Sequence, residues 1–119
     1  MVKQKMNALK YIDIIQNKTK NNHRLTITIF NKLFEELPLQ LSTIKEALNT
    51  RDYKLAEDTV HHLRGSAAFC DLEEIKKPAF ALEHCLMNKD YEAVFQHFQL
   101  LEDSTLHFTS YRKAILAML

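Results

Sequence analysis

The sequence holds one glycine and no tryptophan in 119 residues. Sheet proteins draw on glycine for hairpin turns and bulges, so this scarcity argues against a β-rich fold. There are two prolines and two cysteines. Cys70 and Cys85 make no C-x-x-C pair and are too few for a disulfide framework. Both fall in apolar helical patterns, which predicts small core residues in a reducing compartment. No apolar run approaches the ~20 residues that span a bilayer. Met1 to Lys10 is too polar for a signal peptide. The formal net charge is +1, so no strong field recruits nucleic acid or an anionic membrane. These absences predict a cytoplasmic helical protein that binds neither.

What remains is an ordinary globular balance, 46% hydrophobic and 26% charged. Its length suits a single domain, residues 1–119, with one core. Apolar residues recur three or four apart through most of the chain. The first long stripe is Ile27, Phe30, Leu33, Leu37, Leu41, Ile44 and Leu48. It runs through Pro38, so a kinked long helix is expected there. The second is Ala56, Val60, Leu63, Ala67 and Cys70, with Asp52 as N-cap. The third is Leu72, Ile75, Ala79, Leu82 and Leu86, crossed by Pro78. Asp71 with Glu74 resembles a capping box at its start. The last, capped by Asp90, is Tyr91, Val94, Phe98, Leu101, Phe108 and Ile115. Short connections make neighbouring helices antiparallel. The expected fold is all-α: an up-down-up-down antiparallel four-helix bundle over about residues 22–117. A short extra N-terminal helix is expected over about residues 7–17, on Leu9, Ile12 and Ile15. Phe30, Phe34, Phe98 and Phe108 are expected in the core.

The single glycine sits inside a helix, where it costs about 1 kcal/mol relative to alanine. Local rules tend to break where function requires it. Gly65 lies four residues after His61, and residues at that spacing share a helix face. His61, Arg64, Gly65 and Ala68 form that face, offset by about one hundred degrees from the core position Val60. His61 should therefore stand at the rim of the core, with open space beside its ring. A neutral imidazole nitrogen is a nucleophile near neutral pH. A guanidinium can hold phosphoryl oxygens. Phosphoryl transfer needs in-line access and charge neutralisation above all.

The run His61-His62-Leu63-Arg64-Gly65-Ser66-Ala67 resembles the signature of histidine-containing phosphotransfer (HPt) domains. That signature reads His, any residue, an aliphatic, usually Lys, Gly, then small residues. Leu33-Phe34-Glu35-Glu36-Leu37-Pro38 resembles the family's proline-bearing helix, Leu48 to Tyr53 its short acidic turn, and Leu82-Glu83-His84-Cys85 its next helix. The resemblance covers roughly residues 10 to 117.

It implies a phosphorelay carrier rather than an enzyme with a kinase site of its own. His61 would take a phosphoryl group from the aspartyl phosphate of a receiver domain and pass it to another receiver aspartate. Mg²⁺ would come with the receiver, and this chain would bind no cofactor or metal. Partners would be response-regulator receiver domains and a hybrid sensor histidine kinase, met by a monomer. Arg64 stands where the family usually has lysine, as the group that stabilises the phosphate. Gly65 and Ala68 give clearance for docking. Glu83 falls where the family often has a polar residue that could orient the imidazole; the alternative is a plain surface acid. Two departures stand out: Asp71 replaces a frequent glycine, and His62 follows the carrier directly, although only His61 has the motif spacing.

Two rival readings come from other classes. A receiver-binding module could keep the bundle and lose phosphotransfer. A metal-binding bundle needs paired Glu-x-x-His motifs and further inward glutamates. Asp58 and His61 have such spacing, but no second pair exists, and His84 and Cys85 should point in different directions on their helix.

Overall fold

The computed structural model describes residues 2–119. Among them are six helices and no strand: α1 (Val2–Thr19), α2 (His23–Asn49), α3 (Tyr53–Phe69), α4 (Glu73–Met87), α5 (Val94–Thr109) and α6 (Arg112–Met118). In the central bundle, α2 packs on α3, α3 on α4, and α4 on α5, while α5 closes back on α2. Helix α1 lies against α2 and α6. The fold is all-α, a four-helix bundle with additional helices at one end.

Pro38 does not break α2. A helix of 27 residues at a rise of about 1.5 Å is about 40 Å long. The molecule's greatest extent is 41 Å, about that length. Pro38 faces solvent, where water can reach the carbonyl that lost its partner. Helix α4 likewise continues through Pro78.

The core is built from the expected stripes, with Phe30, Phe34, Phe98 and Phe108 all buried. Two registers differ. On α1, Leu9 is exposed, and the buried face is Ala8, Tyr11, Ile12, Ile15 and Thr19. On α2, Thr26 takes the buried place expected of Ile27, which is half-buried. The cause is a local polar pairing. Thr26 Oγ1 donates to the Asn22 carbonyl at 2.9 Å and meets Thr19 Oγ1 at 2.8 Å. A hydroxyl satisfied in this way is cheap to bury. Tyr11 ties α1 to α4 by donating its hydroxyl to Glu74 Oε1. Burial first, then that bond, push the Tyr11 phenol well above its ordinary range.

The turns correct two expected caps and one helix boundary. Asp71 is not the N-cap of α4; it has a positive φ of 56° and ends α3. Leu72 occupies the N-cap position without a side-chain bond. Glu74 is committed to Tyr11 rather than to a capping box. Asp90 heads an irregular turn, and α5 begins only at Val94. Asp52 does cap α3, accepting from the Leu55 N–H at 3.2 Å. The last stripe is divided, since the chain turns at Ser110–Tyr111 before α6.

Four helix ends close in one way without glycine. Asp52 N–H donates to the Ala47 carbonyl at 2.8 Å, and Arg51 N–H to that of Leu48 at 3.3 Å. Matching bonds run from Leu72 to Ala67 and from Asp90 to Cys85, each at 2.9 Å. Asn21 closes on Gln16, also at 2.9 Å. This is the Schellman pattern, which needs a left-handed residue just past the helix. Lys20, Arg51, Asp71 and Lys89 fill that place with positive φ.

Candidate functional site

His61 lies in the third turn of α3, one residue past the fully buried Val60. That offset leaves its side chain 60% exposed. The opposite is true of Glu83 on the facing helix α4, which is only 7% exposed. The two meet: His61 Nδ1 stands 2.6 Å from Glu83 Oε2. A carboxylate cannot donate, so the proton lies on Nδ1, which donates to Glu83. The neutral ring then carries its lone pair on Nε2.

Arg64, one turn after His61, donates from Nε to the other Glu83 oxygen. Its Nη2 lies 3.3 Å from His61 Nδ1, and its guanidinium carbon 5.9 Å from the centre of the Phe80 ring. A buried carboxylate is costly without a partner, and Arg64 supplies the charge that Glu83 needs. Glu83 is thus an internal acid gripped by two bonds, not a surface acid. Arg64 sits on the Nδ1 edge of the ring, tied to Glu83.

The other flank of His61 is open. A Cβ built on Gly65 meets nothing within 4 Å. The glycine is helical with no positive φ, so the backbone does not require it. Beside it runs a groove of about 500 Å³ between α2 and α3. Ile29, Lys32 and Glu36 border it from α2, and His62, Gly65 and Phe69 from α3, with His61 at its edge. Phe69 is 66% exposed. Ala68, expected on the docking face, is half-buried and does not border this groove. His62 is exposed, with its ring centre 6.2 Å from that of His61.

The family model of the Hpt domain matches residues 28–108. The chain belongs to the Hpt family. Its members are phosphorelay histidine phosphotransfer domains, the class to which this chain is thereby assigned. The match leaves α1 and α6 outside. Among solved structures, the chain is similar to the HPt domain of an Hpt sensor hybrid histidine kinase from Shewanella. The TM-score is 0.80 at 21% identity, over 91% of this chain and 93% of that one. At that identity the likeness shows the fold. No curated protein sequence matches the chain.

Sequence reasoning missed Lys32, Phe69 and Phe80. Phe69 had a signal, standing four residues after Gly65 and eight after His61. Lys32 had none, because it reaches the site from another helix. Cys70 is buried and Cys85 half-buried, and both are free thiols. Burial pushes the Cys70 thiol up to about 11, so it is a poor nucleophile. His84 is exposed and stacks on Phe80, while Cys85 is half-buried against the core. No group of three or more His, Cys, Asp or Glu is arranged to hold a metal ion among the described residues. No helix among them is long and apolar enough to cross a membrane.

Proposed function

We propose that His61 Nε2 accepts a phosphoryl group from a receiver-domain aspartyl phosphate and delivers it to an aspartate on a second receiver. One observation carries this reading: the ring is gripped at Nδ1 by a buried carboxylate while its side chain stays 60% exposed. That grip fixes the tautomer that leaves Nε2 as the nucleophile. In the step, the Nε2 lone pair forms the N–P bond as the P–O bond to aspartate breaks. The electron pair stays on the aspartate carboxylate. The ring becomes cationic as the N–P bond forms, and Glu83 faces its Nδ1–H. Charge is stabilised where it develops, by a group already in place. Return transfer reverses each change.

The protein is a phosphocarrier of the cytoplasm, acting as a monomer and without kinase chemistry of its own. The Mg²⁺ used in transfer is proposed to come with the receiver, and the carboxylate beside His61 is engaged by the ring and by Arg64. The receiver of a hybrid sensor histidine kinase is the proposed donor, and a response-regulator receiver the acceptor. The open flank at Gly65 gives a receiver room to approach.

The test is transfer from phosphorylated receivers with Mg²⁺ to wild type, His61→Gln and His62→Gln. Acid-labile label lost only in His61→Gln is the expected result. Loss only in His62→Gln would move the carrier one residue. No label in a folded wild-type protein would leave a module that binds receivers without carrying phosphate.

A further inference from the structure

The resemblance assigns the charge beside the phosphate to Arg64, one turn after His61 on its own helix. Here that cation is engaged. Arg64 holds Glu83, lies along Nδ1 and covers Phe80. All three anchors lie at the α4 side of His61. The two nitrogens of an imidazole sit across one carbon and point to nearly opposite edges of the ring. With Nδ1 directed at α4, Nε2 is directed away from it, and His61 borders the groove between α2 and α3.

That groove contains one lysine. Lys32 is exposed and forms no ion pair among the described residues. The groove's carboxylate, Glu36, is one turn further along α2 and does not engage it. An ammonium on a flexible four-carbon stem can turn to an anion without giving up a partner. We infer that Lys32, reaching across from α2, is the residue that faces the phosphoryl oxygens on His61 Nε2, while Arg64 keeps Glu83 in place. The inference rests on His61 being the carrier. It divides two roles that the sequence motif assigns to one position: charge for the phosphate from α2, and orientation of the ring from α3 and α4.

A small donor tests this without a receiver. Phosphoramidate is used to label wild type, Lys32→Gln, Lys32→Arg and His61→Gln, and the phosphoryl group is followed by ³¹P NMR as pH is varied. A nearby cation favours the more ionised phosphoryl group. Losing it should raise the titration midpoint by about 0.5–1 unit, less than the 1–3 units of a tight carboxylate–arginine pair, because the groove is open. Lys32→Arg should restore the wild-type midpoint. A residue that only supported the fold would not give this charge-dependent rescue. An unchanged midpoint in Lys32→Gln overturns the role of Lys32 and leaves the carrier intact. Equal labelling of His61→Gln and wild type overturns the carrier reading, and this inference with it.

Discussion

The two flanks of His61 are built on opposite principles. The α4 flank is closed and polar, with a buried carboxylate, a guanidinium and the Nδ1 edge of the ring locked together. The α2 flank is open and partly apolar, with a missing side chain at Gly65 and an exposed Phe69. One flank sets what the ring can do, and the other sets what can reach it. A rigid ring on a crowded surface would be useless to a partner domain. An accessible ring free to rotate would present the wrong nitrogen part of the time.

The sharpest way to break this division is at Glu83. Glu83→Ala removes the acceptor that fixes the tautomer and leaves Arg64 without its anion. Loss of the group that orients a metal-bound histidine costs about 10- to 100-fold, and by analogy receiver-to-His61 transfer should slow by about that factor. Receiver affinity should hardly change, since Glu83 is 7% exposed. Glu83→Gln keeps an acceptor and should lose less. Transfer kinetics of Glu83→Ala equal to wild type would remove the locked flank from the mechanism.

Gly65→Leu tests the other flank. Its Cβ meets nothing, and leucine is a better helix former by about 0.8 kcal/mol. The variant should melt at or above the wild-type temperature. Transfer from a receiver should fall about tenfold, the change that about 1.4 kcal/mol of lost docking energy would produce. Labelling by phosphoramidate, which needs no docking, should persist. Equal losses from both donors would show that Gly65 serves the ring and not access.

Arg64→Ala sharpens the comparison by exposing a cost that the sequence hides. From the helical wheel alone, Arg64 lies off the core stripe, and its loss should leave the fold untouched. The structure changes that expectation, because a carboxylate at 7% exposure would lose its ion partner. Arg64 is itself 28% exposed, so the cost falls between those of surface and buried pairs, about 1–2 kcal/mol. Denaturant unfolding measures it. The double variant Arg64→Ala with Glu83→Gln should recover part of the loss.

How much of this was legible follows from where each signal resides. His61, Arg64 and Gly65 lie within one helix turn, and spacing along α3 is enough to bring them together. The bundle itself follows from stripes that local periodicity reveals. Glu83 lies 22 residues from its histidine, and Lys32 comes from a helix earlier still. The resemblance points to Glu83 as a residue that could orient the ring, but no local pattern reports its contact with His61 or places Lys32 in the same groove; both depend on how α2, α3 and α4 are set against each other. The register of α1 was misread for another reason. Hydrophobicity favours Leu9 over Thr19 and Ile27 over Thr26, whereas a hydroxyl pair across the α1–α2 turn buries the threonines. The turns were misread because aspartate is a good N-cap, and the chain uses Asp71 where glycine is usual.

That last misreading yields the smallest effect, and a control for the rest. Asp71 has a φ of 56° at the end of α3, a region costing a side-chain-bearing residue about 1–2 kcal/mol, with aspartate among the more tolerant. Asp71→Gly removes that strain but adds backbone freedom to the unfolded chain, worth up to about 1 kcal/mol. It also removes the 3.1 Å ion pair with Lys18, whose members are 37% and 57% exposed. Pairs that exposed contribute little. The terms nearly offset, leaving a net gain of about 0.5 kcal/mol. The turn lies outside both flanks of His61, so transfer rates should not move while the unfolding midpoint rises slightly. A slowed transfer in Asp71→Gly would mean that the α3–α4 turn sets how Glu83 meets the ring, and that the closed flank extends beyond its three side chains.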